Sequence, residues 1–245
     1  MVWIVANAAL VAGLLIGLTG IGGVLVVPAL TEAAGFPLER AVAASMLGFL
    51  FTGLVGTFLH LRRSQAEARE LLALCLPAAA GAFGGAAMLD ALPSTAIRLF
   101  IAVLALVSGV QALAGGHAHG TKSPRAVVLA SLGLAVGWGS AISGTGGPVM
   151  LIPLLLLLRT PLVLAVALAQ AIQVPIAFAA TVVNAAAGRI DWRFGLTIGA
   201  LLVGGTLAGG WFAKRPAGRG LTIAVSLALI AIGLWYGYTT WAASG

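Results

Sequence analysis

Two short runs of glycine and hydroxyl residues are where this chain offers its backbone for chemistry. The first reads Gly17-Leu18-Thr19-Gly20-Ile21-Gly22-Gly23 and is followed by Val24 to Val27 and Pro28. The second reads Ser143-Gly144-Thr145-Gly146-Gly147-Pro148 and is followed by Val149 to Ile152 and Pro153. Each glycine in a helix costs about 1 kcal/mol relative to alanine, so runs this dense interrupt a helix and leave amide groups without intrahelical partners. A helix that restarts at Val24 or Pro148 presents its first N–H groups and the positive end of its dipole, which together suit an anion. Pro148 fits a first helical position, because the N–H it lacks would be unpaired there anyway. Thr19, Ser143 and Thr145 add hydroxyls at the same level. The expected substrate-binding set is therefore Thr19, Gly20, Gly22 and Gly23 with Ser143, Gly144, Thr145, Gly146 and Gly147. The competing reading is that these glycines only let helices approach closely.

Three further polar residues fall inside apolar spans: Ser45, Gln170 and Gln173. The two glutamines are three apart and share a helix face, so they can line a cavity together or bond to a neighbouring helix. His60 and Asn184 each close a span, where hydrogen bonding to the adjoining turn is the expected role. His117-Ala118-His119 lacks the carboxylates or thiols of a metal site, and neither a nucleophile–base pair nor a GK[ST] phosphate loop is present. No metal, cofactor or enzymatic activity is expected. All six acids, Glu32, Glu39, Glu67, Glu70, Asp90 and Asp191, lie at or near span ends. Cation transporters and proton relays usually place a carboxylate at depth, so this pattern argues against both.

The elements that position these residues follow from composition. Of 245 residues, 61% are hydrophobic and 8% charged, with a mean hydropathy of +1.12. Membrane helices need roughly 20 mostly apolar residues, and the chain holds seven or eight such stretches. The single Cys75 excludes an internal disulfide and reads as a packed thiol. The net charge of +7 comes from residues in short connections rather than one patch, so nucleic acid is not an expected partner. Met1–Leu18 lacks a basic leader and reads as a first membrane segment.

The chain also repeats itself. At an offset of 124, Gly13, Gly20, Gly22 and Gly23 fall on Gly137, Gly144, Gly146 and Gly147, Pro37 falls on Pro161, and Arg69 on Arg193. Gly81, Gly85 and Gly109 fall on Gly205, Gly209 and Gly233, while Pro28 and Pro153 slip by one residue. Two repeats, 1–114 and 126–245, joined by a linker over 115–125, are expected. Each begins with a glycine-broken region (2–35 and 126–158) and continues with three spans. These are 41–61, 71–89 and 96–114 in the first, and 162–183, 194–213 and 221–241 in the second. If each broken region goes in and returns, nine Lys and Arg share one side against four, while a single crossing gives seven against six. The positive-inside rule then favours inverted repeats with both termini outside. The expected fold is an all-α membrane protein with a substrate site near the midplane, where inverted-repeat transporters hold theirs.

The paired glycine runs, the proline after each, and Gly188-Arg189-Ile190-Asp191-Trp192-Arg193 together resemble the sulfite exporter TauE/SafE family of bacterial membrane proteins. The resemblance covers essentially the whole chain. It implies export of small sulfur-containing anions such as sulfite, sulfoacetate or other sulfonates across a bacterial inner membrane. Val24 stands where the symmetry would put a counterpart of Pro148, so unequal half-sites are expected. The expected partners are a small anion and membrane lipid, with a homodimer left open. The rival readings are a non-transporting accessory or assembly protein and a metal-cation transporter.

Overall fold

A computed structural model describes residues 2–20, 22–61, 64, 66–114, 124–212 and 219–242. Most of the linker lies outside them, His117 and His119 included. The described residues form helices and no strands. The first half comprises α1 (Val2–Thr19), a 3₁₀ turn (Gly23–Leu25), the three-residue α2 (Val26–Pro28), a π turn (Ala29–Ala33), α3 (Leu38–Leu61), α4 (Ala68–Ala87) and α5 (Ser94–Ala114). The second comprises α6 (Ala126–Ser143), α7 (Pro148–Leu157), α8 (Leu162–Ala186), α9 (Trp192–Phe212) and α10 (Arg219–Ala242).

Among the described residues, six helices are long and apolar enough to cross a membrane: α3, α4, α5, α6, α8 and α9. The outward-facing side chains include Leu76, Phe83, Val103, Phe178 and Trp235, all exposed, whereas no charged described residue is buried. This is a surface suited to lipid, and the chain is a multi-pass membrane protein. Except at α8, the helices that follow each glycine run start a few residues ahead of their apolar spans, where polar residues join the first turn. At α4, Glu67 and Glu70 form a capping box, so the helix begins at Ala68 rather than at the apolar Leu71.

Helix packing mirrors the sequence offset. α1 lies on α9, and its counterpart α6 lies on α4; α3 packs on α9, and its counterpart α8 packs on α4. α3 packs on α8, and α5 on α10, each helix against its own counterpart. Glycines permit the closest of these crossings: a methyl on Gly81 would run into the Leu134 carbonyl, and one on Gly205 into the Leu10 carbonyl. Side-chain contacts set the helix directions. Phe49 and Thr57 of α3 bond to Gln173 and Gln170 of α8, so these two helices run antiparallel. Gly109 sits against Ser226 and Gly233 against Ala102, so α5 and α10 do too.

Candidate functional site

The second glycine run is a tight turn between α6 and α7. Gly144 ends α6 in the left-handed region (φ +68°), with its N–H on the Ser140 carbonyl at 2.9 Å. Gly146 (φ +81°) and Gly147 (φ +107°) then turn the chain in conformations that L side chains rarely adopt. α7 restarts at Pro148 as expected, with Met150 and Leu151 N–H groups on the Gly147 carbonyl. Among the described residues, the N–H groups of Gly146, Gly147 and Val149 meet no acceptor. The hydroxyls of Ser143 and Thr145 bond to each other at 2.9 Å, and Ser143 also donates to the Gly139 carbonyl at 2.8 Å. Both residues are buried.

The first run turns at Gly20 (φ +76°), whose N–H closes α1 on the Ile16 carbonyl. The helix expected from Val24 starts one residue earlier and is irregular rather than a continuous α-helix. The chain resumes as a 3₁₀ turn from Gly23, passes through α2 and widens into a π turn. Pro28 explains part of this: without an N–H it cannot close an α-helical bond on Val24, so the ladder must shift. Thr31 then donates to the Val27 or Pro28 carbonyl, at 3.1 and 3.3 Å. This half has no regular helix start of the kind Pro148 gives the other. The side chain of Thr19 and all of Ile21 lie outside the described residues.

The two breaks meet. A methyl on Gly23 would stand 2.6 Å from the Thr145 carbonyl oxygen and 2.9 Å from the Phe49 ring, and one on Gly146 would stand 3.0 Å from the other edge of that ring. A methyl on Gly20 would touch Ile152 and Val166 of the opposite half, and one on Gly144 would touch Val27 and Val42. Val42 and Val166 are 124 apart and Val27 and Ile152 are 125 apart, which is the slip that the prolines indicated. Gly22 faces its own helix instead, 2.5 Å from the Ala12 carbonyl by the same measure. Gly22 and Gly23 are therefore positions of close packing.

The glutamines diverge in role. Gln173 donates through Nε2 to the Phe49 carbonyl at 3.0 Å and to Thr52 Oγ1 at 2.7 Å. Gln170 is buried, with neither Nε2 nor Oε1 partnered. Its Oε1 lies against Gly56, and its Nε2 is 3.6 Å from the methyl position of Gly20. Ser45 is buried, and its hydroxyl donates to Ala41 of its own helix at 2.7 Å. Away from the breaks, His60 Nδ1 lies 2.9 Å from the Gly56 carbonyl. Asn184 Oδ1 accepts from Arg189, which also donates to the Ala86 carbonyl and pairs with Asp90. Phe49 and Thr52 were not among the expected site residues. The offset itself carried a signal for Phe49, because its counterpart is Gln173. Among the described residues no cluster of His, Cys, Asp or Glu has the makings of a metal site.

The family model described as sulfite exporter TauE/SafE matches residues 5–236, nearly the whole chain. Comparison with curated proteins and with solved structures gave no significant match. The multi-pass helical fold and that match agree, and the chain belongs to the TauE/SafE sulfite exporter family of membrane transporters.

Proposed function

We propose that this protein exports a small sulfur-containing anion, such as sulfite, sulfoacetate or another sulfonate, across the inner membrane. The anion binds near the midplane where the two glycine breaks meet, and the halves 1–114 and 126–245 are inverted-topology repeats about the linker 115–125. The observation that carries the reading is the meeting itself: Gly23 lies against Thr145, one turn from a helix start whose first N–H groups meet no acceptor among the described residues, and the uncommitted Gln170 carboxamide lies beside Gly20 of the other run. Irregular backbone at such depth needs burial in protein or a solvated cavity, and free N–H groups there suit an anion. The inverted arrangement is supported by the antiparallel pairing of α3 with α8 and α5 with α10, since counterpart helices that cross a membrane in opposite senses belong to inverted repeats. Inside-negative potential favours export, contributing about 2.3 kcal/mol per 100 mV for a monoanion. Flux from proteoliposomes across a panel of sulfur oxyanions, sulfonates, carboxylates and chloride tests the proposal. Selective efflux of the sulfur anions is expected, and no flux of any of them would refute it.

A further inference from the structure

Where the glycine breaks meet, the two halves differ in polarity. Gln170 on α8 has Met46 as its offset counterpart on α3, and Gln173 has Phe49. The amide side chains at this level thus come from the second half, while the first contributes the hydroxyls of Ser45 and Thr52. Gln173 is committed to Phe49 and Thr52, and the hydroxyls of Ser143 and Thr145 are committed to each other and to Gly139. Gln170 is not committed. It is 1% exposed with both amide atoms unpartnered, and buried polar groups in native proteins are otherwise almost always satisfied. A carboxamide in that condition beside the turn at Gly20 has both a donor and an acceptor free for a ligand.

Space also differs between the halves. At Gly144 the position of an added methyl lies 2.6 Å from Val27, so that elbow is filled. At Gly20 the nearest atom, Ile152 Cδ1, is 3.3 Å away, and Gln170 Nε2 is next at 3.6 Å. Both elbows are closely packed, and the free amide faces the one at Gly20. Compensation for charge is modest, because no charged described residue is buried and the available groups are neutral donors. The cost of moving an ion into a low-dielectric interior rises with the square of its charge, so a dianion costs roughly four times as much as a monoanion.

We propose that the anion binds on one side of the pseudo-symmetry axis, at the Gln170 carboxamide beside the turn at Gly20, with the Gln170 amide N–H as the donor that reads it. The site takes monoanions, the hydrogen-sulfite ion or a sulfonate group, in preference to dianions such as sulfate. This rests on the reading of the glycine breaks as the transport site, and it adds which half holds the anion and in which charge state.

Thermal unfolding of the detergent-purified protein with methanesulfonate or sulfate, at matched ionic strength, tests this, since a ligand that binds the folded state raises the midpoint. Wild type is expected to rise with methanesulfonate and not with sulfate. Gln170→Met, which installs the residue the other half carries, is expected to weaken methanesulfonate binding about tenfold or more, with a ligand-free midpoint at or above wild type, because it removes an unsatisfied amide. Gln170→Leu gives a second reading in case the thioether packs poorly. A full methanesulfonate shift in both variants would overturn the role of Gln170, and a lowered ligand-free midpoint in both would make the amide structural and overturn it equally. Equal shifts with sulfate and methanesulfonate in wild type would overturn the charge selectivity. Proteoliposome efflux of methanesulfonate separates the two levels: efflux in wild type and variants alike sinks only this assignment, whereas a wild type that carries no sulfur anion sinks the transport reading and this one with it.

Discussion

Gln173 donates a 3.0 Å hydrogen bond to the carbonyl of Phe49, the residue 124 positions before it and therefore its own counterpart in the other half. A residue that bonds its counterpart sits where the two halves exchange, so this bond pins α3 to α8 at the centre of the molecule. The second bond, to Thr52 Oγ1 at 2.7 Å, ties the same amide to the next turn. Gln173→Met keeps the bulk and removes both bonds. Interhelical hydrogen bonds in membranes contribute about 0.6 kcal/mol on average and up to about 1.7. A lowered unfolding midpoint of that order is expected in detergent, and an unchanged midpoint would show that the pin is dispensable.

The antiparallel pairing of α3 with α8 sends the end of α3 and the end of α8 to opposite faces. In a background where the native thiol is removed by Cys75→Ala, single cysteines at Ser64 and Ala187 should react with an impermeant maleimide from opposite sides of the membrane. Labelling of both from one side would mean parallel halves.

Neighbouring glycines on α4 give a direct contrast. A methyl on Gly85 would run into the Trp138 carbonyl of α6, whereas nothing lies within 4 Å of the same position on Gly84. Gly85→Ala should cost about 1–3 kcal/mol through forced separation of the helices. Gly84→Ala should be neutral or gain up to about 1 kcal/mol from helix propensity. Chemical unfolding of the two variants distinguishes them, and equal effects would refute the close crossing of α4 and α6.

Arg189 joins the α8–α9 turn to the end of α4 and the turn after it, through Ala86, Asn184 and Asp90. Its side chain is largely covered while that of Asp90 is mostly exposed. Arg189→Gln should therefore destabilise by about 1–3 kcal/mol, because the Ala86 carbonyl and the Asn184 amide lose a charged donor. Asp90→Asn should cost under about 1 kcal/mol, as exposed ion pairs do. Comparable losses in both would shift the importance from the buried bonds to the ion pair.

Much of this arrangement was legible because glycine, proline and charge are informative in a membrane. The offset that pairs Gly81 with Gly205 also pairs the helix crossings they permit, and the one-residue slip between Pro28 and Pro153 recurs between Val27 and Ile152 in space. The restart after Gly23 was less legible: a missing N–H at Pro28 and a back-bonding Thr31 decide between 3₁₀, α and π turns, and those differ by small energies. Spacing put Gln170 and Gln173 on one face but did not separate their roles. Which amide is satisfied depends on the Phe49 carbonyl and Thr52 hydroxyl of the opposite half, contacts that no local pattern encodes.

If a small anion crosses this protein as a net charge, through a site of helix-start amides and neutral donors, its flux must answer to the membrane potential. Proteoliposomes loaded with sulfite near neutral pH, with the membrane potential set by a potassium gradient and valinomycin, measure this. Efflux is expected to accelerate as the interior is made more negative and to stop when the protein is omitted. Protein-dependent efflux at a rate indifferent to the imposed potential would contradict it, because the transported species would then be neutral or exchanged without net charge.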